Sequence, residues 1–243
     1  AASALGAEQR YWLSRPGPVL GLMGLLLYAV NRLIMRGLFR MRVIGACRLP
    51  SKGPVLLAPN HSSYLDPFVL AAALGWRQAR RTYWAGWSGK MMTGPIMRLF
   101  SRVGHVLPVD PDRGPASALS LGAAALGGGA MLIWFPEGRR SPTGMLNPFL
   151  PGVGVLIRTT AIPAVPVRIE GTFEALPRGR TIARLSRVRV TFGEPLDPAT
   201  LEAAGEGDSP EERIASALHA AVARLSGGTG ARTRQDETWS SPG

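Results

Sequence analysis

Cysteine is nearly absent from this chain. Cys47 stands alone among 243 residues, which excludes an internal disulfide and any cysteine-based zinc site. Histidine is equally scarce, and His61, His105 and His219 are too dispersed to suggest a metal site, so no metal is expected. Lysine is missing except at Lys52 and Lys90, so the formal charge of +12 rests on arginine, whose planar guanidinium suits phosphate. Acids are missing from the front of the chain: before Asp66 only Glu8 is negative, against Arg10, Arg15, Arg32, Arg36, Arg40, Arg42, Arg48 and Lys52. An anionic partner is expected from this imbalance.

Long apolar runs are lacking too. Val19 to Val30 is apolar and uncharged, but well short of the roughly 18 residues of a spanning helix. Beyond it Leu33, Ile34, Leu38, Phe39 and Met41 interleave with Arg32, Arg36, Arg40 and Arg42, as in a helix lying among lipid headgroups with its arginines on phosphate. Residues 16–42, within a basic and apolar segment 1–42, are therefore expected to anchor the protein to an anionic membrane surface, peripherally and on the cytoplasmic face. The charge alone would also suit a nucleic-acid binder, but these arginines flank leucine-rich segments rather than aromatic platforms, so no nucleic-acid partner is expected.

With 46% apolar and 18% charged residues the chain should fold. Strand-like runs recur at 41–46, 55–58, 81–85, 105–109, 131–135, 164–169 and 187–192, with helix-forming segments at 66–76, 90–102, 115–126 and 152–160 between them. The alternation predicts an α/β fold, a largely parallel sheet of about seven strands covered by helices. Arg187 to Phe192 alternates polar and apolar residues and is expected near the sheet edge. The uncharged stretch 114–136 is broken by Gly122 and Gly127 to Gly129, which favours protein core over lipid. Ser209 and Pro210 open a last helix with Ile214, Leu218, Val222 and Leu225 on one face. One domain over 43–225 is expected, followed by a disordered tail at 226–243.

Reactive groups in parallel sheets collect where strands end. The run Val55 to Ala58 leads into Pro59-Asn60-His61-Ser62-Ser63-Tyr64-Leu65-Asp66-Pro67. On a continuous helix His61 and Asp66 would point about 140° apart, so they meet only if the chain bends into a helix opened by Asp66-Pro67. Asp66 would then hold one ring nitrogen and leave the other to take a proton from an alcohol. The alternative is a helix-capping Asp beside a surface His. Backbone N–H groups between Asn60 and Ser63 are candidate donors to a developing oxyanion. A second strand end, Met131 to Phe135, leads into Pro136-Glu137-Gly138-Arg139-Arg140-Ser141. There Gly138 permits close backbone approach and the arginines suit a phosphate. A third segment, Ile162-Pro163-Ala164-Val165-Pro166-Val167, is strand-like despite its prolines. Ser88 lies one glycine short of a nucleophile elbow, Cys47 has no acid or histidine nearby in sequence, and Gly89-Lys90 lacks the flanking residues of a phosphate loop.

In this order and separation the three segments resemble the glycerolipid acyltransferase family, over roughly residues 40–197. The resemblance implies transfer of an acyl group from an acyl thioester, acyl-CoA or acyl-carrier protein, to the hydroxyl of a lysophospholipid or 1-acylglycerol-3-phosphate, without a cofactor. It makes His61 the base and Asp66 its orienting partner. It also implies substrate binding by Asn60, Glu137, Gly138, Arg139, Arg140 and Pro166. The family's second block departs here, because Pro111 follows Asp110 where an arginine for the acceptor phosphate is usual, and Arg113 is the substitute. That departure keeps open an inactive lipid-binding relative. Trp87-Ser88-Gly89-Lys90 and Val109-Asp110-Pro111 also resemble domains fused behind acyl-activating domains, and the chain does not begin with Met, so a fragment of a longer protein is compatible.

Overall fold

Val55, Leu56, Leu57 and Ala58 are all completely buried, as an unbroken apolar run requires of a strand covered on both faces. They form β2 (Val55–Pro59) near the middle of a seven-stranded sheet in a computed structural model that describes residues 6–51, 53–87, 89, 93–109 and 115–226. The other strands are β1 (Arg42–Ile44), β3 (Thr82–Trp87), β4 (Val106–Val109), β5 (Met131–Ile133), β6 (Ala164–Glu170) and β7 (Arg189–Phe192). Their order is β1-β7-β6-β2-β5-β3-β4. The pairs β2–β5, β2–β6, β3–β5 and β3–β4 are parallel, β6–β7 is antiparallel and β1–β7 is parallel, so β1 and β7 run against the other five.

Side chains alternate between two cores, one on each face. Val55 and Leu57 join Ile133, Val165 and Val167 on one face, which α3 (Asp66–Ala73) covers with Val69 and Leu70. Leu56 and Ala58 join Leu132 and Ala164 on the other, beneath α6 (Pro115–Gly127), α7 (Gly152–Thr160) and α10 (Pro210–Arg224). The stretch 114–136 thus yields α6 and β5 of the core as far as it is described. Short helices α4 (Trp76–Ala79), α8 (Thr172–Ala175) and α9 (Pro198–Ala204), with α5 (Pro95–Val103), complete the connections. Gly154 of α7 has no room for a side chain, since a Cβ there would lie 2.1 Å from the Glu211 carbonyl oxygen. At the start of α10 Ser209 Oγ accepts from Glu212 N at 3.2 Å while Glu212 carboxylate accepts from Ser209 N at 3.1 Å, a reciprocal cap. Residues 227–243, where the tail was expected, lie outside the described residues.

The structure meets one of the sequence expectations with a qualification and corrects another. β7 lies near the edge as expected, second in the order, but Val190, Thr191 and Phe192 are buried, because β1 pairs along its outer side. The apolar N-terminal run is not confined to 19–30. Helix α2 (Pro18–Gly37) is a single helix of 20 residues, long and apolar enough to cross a membrane by length and composition. Asn31 and Arg32 do not end it, since their polar ends turn onto the neighbouring helix. Asn31 Nδ2 donates to Phe68 O at 2.8 Å, Arg32 Nη1 to Ala72 O at 2.7 Å and Tyr28 OH to Leu74 O at 2.9 Å. Ala72 and Leu74 lie in the last turn of α3 and at its C-terminal cap, where helices leave acceptors unpaired, and Phe68 lies in its first turn. Arg32 is therefore a docking residue and does not reach outward. Phe39 and Met41, expected beside lipid, are buried with Met35 against the α3 side of the sheet. Ahead of α2, α1 (Ala7–Leu13) buries Trp12 in the opposite core.

Candidate active site

Helix α3 begins at Asp66 with Pro67 in its first turn, and residues 61–63 before it are not helical. This is the bend the sequence required, and it brings His61 Nδ1 to 2.8 Å from Asp66 Oδ2. The same oxygen accepts from Ser62 N at 2.7 Å and Ser63 N at 2.8 Å. Asp66 is completely buried, while the His61 side chain retains 18% of its exposure. With the aspartate held by two backbone donors and the helix N-terminus, its position fixes the imidazole. Nδ1 carries the proton toward the carboxylate, and Nε2 forms no hydrogen bond among the described residues.

The turn after β5 braces this pair from the other side. Glu137, buried, accepts from His61 N at 2.7 Å through Oε1 and from Asn147 N and Nδ2 at 3.1 and 2.7 Å through Oε2. Ser141 N donates to His61 O at 2.7 Å, so both backbone groups of His61 are pinned by residues 137–141. The ring itself stacks on Phe135, with centroids 4.0 Å apart and planes at 28°. Burial pushes the Glu137 carboxyl above its ordinary value, opposed by the donors from His61 and Asn147. Gly138 adopts φ +69°, and a Cβ there would lie 2.5 Å from Leu150 Cδ1, so its glycine serves a turn packed on Leu150.

The other expected residues sort by what they touch. Asn60 is buried and commits both ends of its amide to one residue, donating to Ile169 O at 3.0 Å and accepting from Ile169 N at 2.7 Å, so it ties the end of β2 to β6. Pro166 is buried within β6, its ring against Gly193, where a Cβ would lie 2.7 Å from Cγ. That neighbour explains how a proline fits an inner strand. Arg139 is exposed. Arg140 lays its guanidinium over Tyr64 at 3.5 Å from the ring centroid, and its Nη1 is shielded from solvent without a hydrogen-bond partner among the described residues. Arg113 lies outside the described residues. One expectation fails: the N–H groups of His61, Ser62 and Ser63 point to the carboxylates of Glu137 and Asp66, which leaves none of the three for an oxyanion. Phe135 and Tyr64 were not foreseen, because aromatic neighbours in space leave no spacing signal in sequence.

His105 and His219 lie elsewhere. Both are held below the ordinary imidazole value of 6.5, His105 by burial and Arg102, His219 by burial and Arg168. A depressed histidine means that the unfolded chain takes up protons first, so stability present above the ordinary value is lost as pH falls through it toward the folded value. Glu137, raised by burial, acts in the opposite sense, so variants must be compared. His105 adopts φ +56°, which asparagine tolerates. The urea midpoint of His105→Asn is expected to fall less than that of the unaltered protein between about pH 7 and about pH 5. Equal falls would remove His105 from the acid response.

The family model described as Acyltransferase matches residues 40–170. The chain is 29% identical over 167 residues to a chloroplastic 1-acyl-sn-glycerol-3-phosphate acyltransferase of Brassica napus, covering 65% of this chain and 45% of that protein. It is 28% identical over 167 residues to a chloroplastic protein of the same name from Arabidopsis thaliana, covering 65% and 44%. It thus spans less than half the length of either relative. In fold it resembles the crystal structure of the 1-acyl-sn-glycerophosphate acyltransferase PlsC from Thermotoga maritima, with a TM-score of 0.65 and 20% identity over 88% of this chain and 83% of that one.

Proposed function

This chain belongs to the Acyltransferase family, and on that premise we propose that it esterifies the free hydroxyl of 1-acylglycerol-3-phosphate or a related lysophospholipid with the acyl group of a thioester. The observation that carries the reading is the buried Asp66 held 2.8 Å from the Nδ1 of a partly exposed His61. His61 Nε2 takes the hydroxyl proton as that oxygen attacks the thioester carbonyl. Asp66 stabilises the imidazolium that forms. The tetrahedral adduct then expels the thiolate, which recovers the proton from His61. No enzyme-bound acyl group is needed. The acceptor phosphate sits against Arg140, whose Nη1 is the shielded, unpartnered donor beside the dyad's loop. Mass spectrometry of products from lysophosphatidic acid with acyl-CoA, and separately with acyl-carrier protein, tests this. A new ester supports it and names the donor, whereas binding of both substrates without product would favour an inactive lipid-binding relative.

Tyr64 is the positioning residue for that arginine. Tyr64→Leu is expected to raise the acceptor KM by roughly threefold to thirtyfold, the range of a cation–π contact, with little change in the donor KM. Arg140→Ala should act in the same direction and further, and equal changes for both substrates would contradict the assignment.

The membrane reading rests on α2. Val19, Leu22, Leu26, Val30 and Leu33 recur at helical spacing and are all more than half exposed, on the side away from α3. We place this stripe in the lipid surface. The bonds from Tyr28, Asn31 and Arg32 to α3 hold the helix along the domain, and a spanning arrangement would have to break them.

A further inference from the structure

The segment between α8 and β7 is built unlike a solvated loop. Between Glu174 and Glu194 the chain carries five arginines, Arg178, Arg180, Arg184, Arg187 and Arg189, and no acid. At its tip Ile182 is 79% and Leu185 69% exposed, where a loop meant only for water would carry polar side chains. Arg178, Arg180, Arg184 and Ile182 line an open surface concavity of about 680 Å³ with no carboxylate in its lining.

The base of the loop is tied to the candidate active site. Ser63 Oγ donates to Leu176 O at 2.8 Å, and Ser62 Oγ lies 3.2 Å from Thr172 Oγ1. Further along, Arg184 N donates to Ala175 O at 2.8 Å and Ser186 Oγ to Gly171 O at 2.7 Å, so the tip projects from the end of the sheet that holds His61. The far end of the loop joins the exit of α2, since Val188 N donates to Phe39 O at 3.1 Å and Arg42 N to Val188 O at 2.9 Å. At this junction Arg40, Arg42, Arg187 and Arg189 gather around a single carboxylate, Glu170, whose Oε2 is 3.6 Å from Arg189 Nη1. The exit of α2 lies at the same place, where its C-cap residue Leu38 is 56% exposed.

We infer that the 177–187 loop is a second membrane contact, in which Ile182 and Leu185 enter the lipid surface while Arg178, Arg180 and Arg184 bind the phosphates of anionic phospholipids. This inference rests on the membrane reading of α2. The loop and the exit of α2 then lie at the same end of the sheet as His61, so a lysolipid passes from bilayer to dyad without crossing water. Exposed arginines with aliphatic neighbours would also fit an acidic carrier protein. The junction of the loop with the exit of α2 favours lipid.

Site-specific quenching tests it. In a Cys47→Ser background, Ile182→Cys and, separately, Leu26→Cys on the outer stripe of α2 carry an environment-sensitive fluorophore. Vesicles contain equal parts phosphatidylcholine and phosphatidylglycerol with brominated acyl chains. Quenching at both positions is expected. Changing Arg178, Arg180 and Arg184 to glutamine should weaken vesicle binding by about fivefold per arginine, with the melting midpoint unchanged as the check on folding. Quenching at 26 without quenching at 182 would overturn the loop contact and leave the α2 reading standing. Silence at both positions would remove both. A response at 182 to acyl-carrier protein but not to vesicles would replace lipid with protein as the partner.

Discussion

His61→Ala is expected to lower kcat by about 10²-fold or more, the loss that follows removal of a positioned general base, while the fold and the acceptor KM stay close to those of the unaltered protein. The fold should survive because the imidazole's one hydrogen bond goes to Asp66, which keeps its backbone donors at Ser62 and Ser63 without it. The groups that pin the loop, Glu137 Oε1 on His61 N and Ser141 N on His61 O, are backbone contacts that alanine retains. A loss confined to kcat is the signature of an interaction made in the transition state. Circular dichroism and steady-state kinetics on the same preparation separate this from misfolding, and undiminished turnover would remove His61 from the mechanism.

Asp66 divides into two experiments. Asp66→Asn keeps a carbonyl oxygen where Oδ2 accepts from His61 Nδ1, Ser62 N and Ser63 N. Its amide nitrogen takes the place of Oδ1, which is buried without a partner among the described residues. The hydrogen bonds to the ring and loop can persist while the negative charge is gone. A fall in kcat of about 10²-fold or more is expected, because nothing then offsets the charge of the imidazolium. Asp66→Ala also strands two buried backbone donors, at about 1–3 kcal/mol each, and should lower the urea midpoint markedly. An Asp66→Asn enzyme as active as the original would confine Asp66 to holding the loop.

Much of this architecture was legible because its signals are local. All seven strand-like runs became strands, and Asp66-Pro67 opened α3 as helix-start chemistry requires. The His61–Asp66 contact followed from that start, since the bend it imposes is the only local route between them. What escaped the sequence depends on distant partners. Strand β1 buries the outer side of β7, which the alternation of polar and apolar residues does not reveal. Arg32 looks like a lipid-facing cation until α3 presents its terminal carbonyls. Asn60 sits inside the motif, yet its amide is taken by Ile169 at a separation of 109 residues. The N–H groups of His61 to Ser63 looked available for an oxyanion because nothing in their spacing reveals that two carboxylates claim them. The stacking of His61 on Phe135 and of Arg140 on Tyr64 likewise joins two segments far apart in the chain.

Rapid-quench single turnover, with enzyme in excess over a preloaded acyl thioester and lysophosphatidic acid, isolates the chemical step from membrane delivery and product release. The account predicts one new ester per thioester consumed with the unaltered protein. The same step should run at least a hundredfold slower with His61→Ala, although that variant binds both substrates as tightly. Equal single-turnover rates for the two proteins, or thioester consumed without ester formed, would contradict it.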